Sequence, residues 1–186
     1  MAIKGSITKS NFIDYDKAMA TGRELMKGRN KTFGFYIIVA INTGLRIGDI
    51  LNLKKEHFEN GGSKFREQKT NKAKDLPLND KILKAYEELK PKLNPRSEEV
   101  FTSQKGTLFT KQQINRKLKQ HFQTRNKNVS SHSLRKGFGR KVYENNNSSD
   151  RGLLLLSQIF NHSSVSVTRN YLDISQEEIT DVYMNL

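Results

Sequence analysis

Three short segments of the sequence carry side chains suited to handling a phosphate. Arg46 lies in Thr43-Gly44-Leu45-Arg46-Ile47-Gly48-Asp49 and Arg135 in His132-Ser133-Leu134-Arg135-Lys136-Gly137-Phe138. The third, Phe160-Asn161-His162-Ser163-Ser164, is followed by Thr168 and then by Tyr171, nine positions after the histidine. Displacement at a phosphodiester builds charge on the equatorial oxygens of a five-coordinate phosphorus, and fixed cations stabilise that charge without a metal. Guanidinium groups suit the task because they are planar, always charged and able to bond two phosphate oxygens at once. His132, three residues before Arg135, shares a helix face with it, and His162 offers a second imidazole. A phenol has an ordinary pKa of about 10, so Tyr171 becomes a nucleophile only where cations and a nearby imidazole help it lose its proton. This set calls for no nucleotide cofactor and no metal.

Positioning these groups requires a largely helical scaffold. Phe12, Ile13, Tyr15, Ala18 and Leu25 recur at helical spacing and predict a helix within Ile7 to Met26, stopped by Gly28 and Asn30. Phe33 to Ile41 is apolar on every side, as in a helix buried at the centre of a domain, and Asn42-Thr43-Gly44 interrupts it. Ile47, Ile50, Leu51 and Leu53 resume the period, which sets Arg46 at the first turn of a short helix. Phe58, Phe65 and Leu76 to Leu78, among turn-prone residues, predict two or three antiparallel strands, with Pro77 at an edge or strand end. Further helices are marked by Ile82, Leu83, Tyr86 and Leu89, by Ile114, Leu118 and Phe122, and by Leu134, Phe138 and Val142. After the polar loop Asn145 to Ser149, Asp150 caps a buried helix through Leu153 to Ile159. Ser175 and Glu178 form a capping box ahead of an apolar stripe of Ile179, Val182, Tyr183 and Leu186. The expected fold is mainly α with a small antiparallel β-sheet (α+β), in one domain over residues 1–186.

Composition narrows the partners. The 186 residues contain 33 Lys plus Arg against 19 Asp plus Glu, a net charge of +14, and the pI is near 9.9. Such a chain attracts polyanions, either nucleic acid or an acidic membrane. The longest apolar run, Phe35 to Ile41, is far shorter than the roughly 18 residues of a spanning helix, so no membrane partner is expected. No secretory signal follows Met1, so the protein is expected to stay inside the cell, and the expected location is the cytoplasm with the nucleoid. With no cysteine, disulfides, thiolate zinc sites and a cysteine nucleophile are excluded. His57 and His121 stand outside any motif and read as structural. Tyr36, Tyr86 and Tyr183 fall on apolar faces and read as packing residues. Arg116-Lys117-Leu118-Lys119 reads as a solvated or phosphate-facing helix side.

In order and spacing, the Thr-Gly-Leu-Arg turn, the His-x-x-Arg helix start, the Asn-His before a Ser/Thr-rich segment and the closing tyrosine resemble the tyrosine recombinases, or phage integrases. The resemblance covers nearly the whole chain as a catalytic domain. It implies cleavage and rejoining of double-stranded DNA through a 3′-phosphotyrosine intermediate, with Arg46, Arg135, His132, His162 and Tyr171 as catalytic groups. It also implies a lysine on a hairpin of the small sheet that protonates the leaving 5′ oxygen. Lys69, ahead of Leu76-Pro77-Leu78, fits best, with Lys64, Lys72 and Lys74 close by. Asp49 matches the family's acidic position and would orient an arginine from behind. Asn161 replaces the usual glycine and Gly137 the common Ser or Thr. The family's amino-terminal DNA-binding domain has no room in this chain. Residues 175–186 match a carboxy-terminal helix that is exchanged between copies assembled as a tetramer on DNA, although packing on its own domain is the rival. Alternatives to recombination are a DNA-binding module of the same fold without cleavage and a DNA-relaxing enzyme akin to type IB topoisomerases.

Overall fold

The structure, a computed structural model, describes residues 10–62, 64–67 and 73–185. Asp14 starts the first helix, its carboxylate accepting from Lys17 N at 2.8 Å, and α1 (Tyr15–Lys27) ends at Gly28 as expected. The helix therefore begins later than its apolar spacing suggested. Phe12 and Ile13 precede it as irregular chain, and Ile13 N donates to Ser133 O at 3.1 Å. Ile7 lies outside the described residues. Helix α2 (Lys31–Thr43) buries every residue from Phe33 to Ile41, the central position that its all-round apolar character predicts.

Gly44 closes α2 with a left-handed backbone, φ 61°, and a Cβ there would run into the Phe138 ring. Only glycine serves both needs. Two residues later Arg46 is the cap residue of α3 (Ile47–Leu51), just ahead of its first turn. Phe58 proves to be helical: it is the buried residue of α4 (Lys55–Glu59), not part of the sheet. Strands β1 (Lys64–Arg66) and β2 (Ala73–Asp75) pair antiparallel, with Lys64 opposite Asp75 and Arg66 opposite Ala73. Leu76 to Leu78 follow β2 as irregular chain, and the strand ends two residues before Pro77.

Helix α5 (Asp80–Leu89) is capped by Asn79 and runs into a 3-10 turn at Lys90–Lys92. The residues after it carry Val100, Phe101 and Phe109 into the core, where Phe35, Phe58, Tyr86 and Phe101 pack ring against ring at 5.0–6.3 Å. Helices α6 (Lys111–Phe122) and α7 (Ser131–Asn145) each begin with a capping box, on Thr110 and Ser130. Ser149, rather than Asp150, caps α8 (Asp150–Phe160), because its hydroxyl accepts from Gly152 N; Asp150 occupies the first turn. Then come α9 (Val165–Tyr171) and α10 (Ile174–Met184). Asp173 is the residue before α10, so Ser175 lies inside the helix instead of at its cap.

Helix α7 divides two apolar clusters. The larger surrounds α2, and the smaller joins Leu153, Leu156, Phe160, Leu172 and Ile174 beneath Phe138 and Val142. Gly137 in α7 now has a physical reason, because the Ile13 carbonyl crosses the helix where its Cβ would stand. Gly137→Ala gains about 1 kcal/mol of helix propensity but forces backbone apart at a cost of ~1–3 kcal/mol. The expected net result is a lower thermal midpoint, by ~2–4 °C per kcal/mol lost, measured by circular dichroism; a higher midpoint would show that the segment before α1 moves aside freely.

Candidate functional site

The turn at Gly44 and the start of α7 bring the two predicted arginines together. Arg135, buried with 4% exposure, donates through Nη1 to the Gly44 carbonyl and through Nη2 to the Phe160 carbonyl at 3.1 Å. Arg46 donates to the same Phe160 oxygen at 3.2 Å. One carbonyl at the end of α8 thus holds both guanidiniums, whose like charges would otherwise separate them. The Phe160 ring lies beneath Arg135, with the guanidinium carbon 4.2 Å from its centroid. Burial draws the Arg135 pKa down to about 10, which leaves it charged at neutral pH.

Arg46 keeps a solvent-facing side while its Nη1 meets the Glu67 carboxylate at 3.2 Å. Asp49, buried on α3, lines a 450 Å³ cavity with Arg46, His132, Arg135 and Lys111, and its charge favours the charged form of Arg135. Glu67 escaped the sequence reading because the strand before it is only three residues long, too short for a period that would mark a buried acid. Lys111 escaped it because, as the first residue of α6, it stands apart from the Arg116-Lys117-Leu118-Lys119 run that marked that helix as basic.

Asn161 adopts the left-handed conformation, φ 53°, that its position requires. The turn lets His162 N donate to Ser157 O at 2.9 Å and brings His162 Nδ1 to 2.9 Å from Thr168 Oγ1. Burial, and then the charges of Arg135 and Arg46, lower the His162 pKa, so the ring is mainly neutral at pH 7. Tyr171, the last residue of α9, sets its ring against three others: Phe160 at 5.6 Å, His162 at 5.4 Å and His132 at 6.4 Å. Its hydroxyl lies 3.5 Å from both His132 Nδ1 and the His132 carbonyl. Arg135 and Arg46 pull its pKa down, yet burial outweighs them and pushes it up to about 12. The two cations alone therefore do not ionise the phenol.

A further ion pair fixes the chain just beyond the tyrosine. Lys136, almost fully buried, reaches Asp173 at 2.7 Å and holds its ammonium 5.5 Å from the centroid of the Tyr171 ring. Five predicted groups, Arg46, Arg135, His132, His162 and Tyr171, thus converge, with Asp49 beside them; Lys69 lies outside the described residues. His57 and His121 are structural: His57 Nδ1 accepts from Lys54 N at 3.2 Å, and His121 packs on Phe33. Tyr36 and Tyr86 are core residues, but Tyr183 is 75% exposed and packs in no core. Among the described residues no group of three or more His, Asp or Glu could hold a metal ion, and no helix is long and apolar enough to cross a membrane.

Two guanidiniums on one carbonyl, two imidazoles and a phenol on a helical scaffold define a class of protein, and comparison with known families agrees. The model of the phage integrase family matches residues 14–178, and the chain belongs to that family. The tyrosine recombinase XerC of Rickettsia peacockii (strain Rustic) is 27% identical over 165 residues, a match covering 83% of this chain and 50% of XerC. The probable integrase/recombinase YoeC of Bacillus subtilis (strain 168) is 26% identical over 164 residues, covering 87% of this chain and 88% of YoeC. The chain thus spans about half the length of XerC and most of YoeC. Among solved structures, XerH site-specific recombinase bound to its palindromic difH substrate, a post-cleavage complex, has the same fold with a TM-score of 0.67. It is 20% identical, and the match covers 98% of this chain and 55% of XerH. The small two-stranded sheet on a helical body agrees with the expected fold class.

The electrostatics of the cluster can be read at His162. Its pKa, followed by NMR of the ring, is expected below the ordinary 6.5, and Arg46→Ala should raise it by removing one of the two charges that depress it. An unchanged value in the variant would place the guanidinium away from the imidazole in solution.

Proposed function

We propose that the chain is a site-specific DNA recombinase that cleaves and rejoins strands of double-stranded DNA without metal or ATP. The observation that supports this most is the phenol of Tyr171, held 3.5 Å from an imidazole nitrogen beside two arginines that share one anchor. In this reading the non-bridging oxygens of the scissile phosphate bond to Arg46 and Arg135. Tyr171 Oη forms a bond to phosphorus as the bond to the 5′ oxygen breaks, leaving a 3′-phosphotyrosine. Lys69 gives the leaving oxygen its proton, and attack by a 5′ hydroxyl reverses the step to rejoin a strand. A pKa of about 12 lies about five units above neutral pH, so a free phenolate costs about 7 kcal/mol at 1.36 kcal/mol per unit. The phenol proton therefore leaves during attack, with the His132 imidazole, 3.5 Å away, as its acceptor.

The same reading includes assembly of several copies on DNA, in the cytoplasm with the nucleoid. Residues 175–186 would dock on a neighbouring copy; Ile179, Val182 and Tyr183 are 50%, 62% and 75% exposed, which fits a face awaiting a partner better than one packed on its own domain. Leu186 lies outside the described residues.

Nicked or suicide duplexes should trap a covalent adduct, and mass spectrometry should find the nucleotide on the Tyr171 peptide. Tyr171→Phe should form none, and Arg135→Lys should slow formation by on the order of a hundredfold or more, because lysine cannot bond two oxygens from that position. An adduct that persists in Tyr171→Phe removes the assignment, and tight binding without an adduct on any duplex leaves a binding module. Deleting residues 175–186 should lower the mass of the assembly on DNA; an unchanged mass would end the docking role.

A further inference from the structure

On the far side of α6 from the catalytic cavity lies a second one, of 650 Å³. Its walls are the start of α2, the chain after the 3-10 turn, the hairpin closed by the Thr102–Leu108 bridge, and one side of α6. Five of the residues that line it are cationic, namely Arg29, Lys92, Lys105, Arg116 and Lys117, and none is a carboxylate. The groove beside α4 is different: Lys54, Lys55 and Arg96 face Glu56, Glu59 and Glu98. A basic composition alone would not sort the charges this way. No carboxylate among the described residues pairs with any of the five, and four of them are exposed.

Two details show that the positive potential is held in place. Lys117 is fixed, with Nζ donating to Asn30 Oδ1 at 3.0 Å and lying 5.4 Å from the Phe33 ring centroid. Asn30 precedes α2 but makes no side-chain bond to the helix, and the first turn of α2 contains no acid. The unmatched N–H groups of a thirteen-residue helix thus add to the cationic wall instead of being neutralised. Five cations drawn from four separate chain segments suit a succession of phosphates rather than one tightly held anion.

Helix α6 is the partition between the two cavities. Lys111 lines the catalytic cavity, whereas Gln113, Arg116 and Lys117 line the other. Residues two apart on a helix point to roughly opposite sides. The two cavities therefore open on different sides of the same helix.

We infer that this cleft grips the sugar-phosphate backbone of double-stranded DNA away from the phosphate held by Arg46 and Arg135, adding affinity without reading sequence. The inference rests on the DNA-acting reading above, and it is tested by binding alone, with no cleavage required. The affinity of the full chain for a 40-base-pair duplex is measured against salt concentration, for wild type and for Arg29→Gln/Lys105→Gln/Arg116→Gln. Each lost phosphate contact should reduce the salt slope by about 0.9, so the triple variant should lose up to about 2.7 and bind more weakly at low salt on any sequence. Lys54→Gln/Lys55→Gln/Arg96→Gln removes equal charge from the mixed groove and should retain the wild-type slope. Equal losses in both triple variants would overturn the cleft in favour of net charge, and no loss in the first would overturn it outright. If the triple variant is misfolded by circular dichroism, Lys105→Gln alone, at an exposed hairpin tip, decides: a slope lower by about 0.9 supports the cleft and an unchanged slope sinks it. Adduct formation at Tyr171 is scored separately, so failure of the cleavage chemistry and failure of the cleft remain distinct results.

Discussion

The site depends on one carbonyl oxygen. Two guanidiniums repel each other, and in a half-buried setting that repulsion is not fully screened by water. The Phe160 carbonyl counters it by accepting from both, and it is free to do so because α8 ends there and its last carbonyls lack intrahelical partners. Asn161 then turns the chain in the left-handed sense, which leaves that oxygen facing the arginines and swings His162 to the same side. The cation pair, the imidazole and the nearby phenol are thus consequences of where one helix stops.

The surroundings make the arrangement affordable in energy. Arg135 is buried, a state a lone charge would not tolerate, but it has two backbone acceptors, an aromatic face and the fields of Asp49 and Glu67. Arg46 is left more open and paired with Glu67. One guanidinium is thus locked by backbone acceptors and the other left more open, and both line the same cavity. The phenol is treated in the opposite way. Its burial outweighs the nearby positive charge, so it stays protonated at neutral pH.

Much of this was legible in the sequence because the groups stand at turns, and turns have strong local signatures. Gly44 and the Thr-Gly-Leu-Arg run, the His-x-x-Arg start at His132, and Asn161 before His162 each announce a helix end. The all-apolar run of α2 likewise announced its central burial. Illegible were features that depend on distant chain crossing at close range: Ile13 over Gly137, Glu67 against Arg46, and Lys136 reaching Asp173. Phe58 misled because a single buried aromatic beside two glycines suits a strand as well as one turn of helix. The apolar stripe of α10 was visible, but periodicity alone does not say whether such a face is covered by its own domain; here Ile179, Val182 and Tyr183 are open to solvent.

The ion pair between Lys136 and Asp173 also limits where the Tyr171 hydroxyl can go. Asp173 is two residues beyond Tyr171, and Lys136 is the residue next to Arg135. The phenol therefore sits on a short leash whose far end is nailed to the helix that carries the anchored arginine. Moving the tyrosine outward together with α10 therefore requires either dragging α7 along or first separating a half-buried pair of opposite charges.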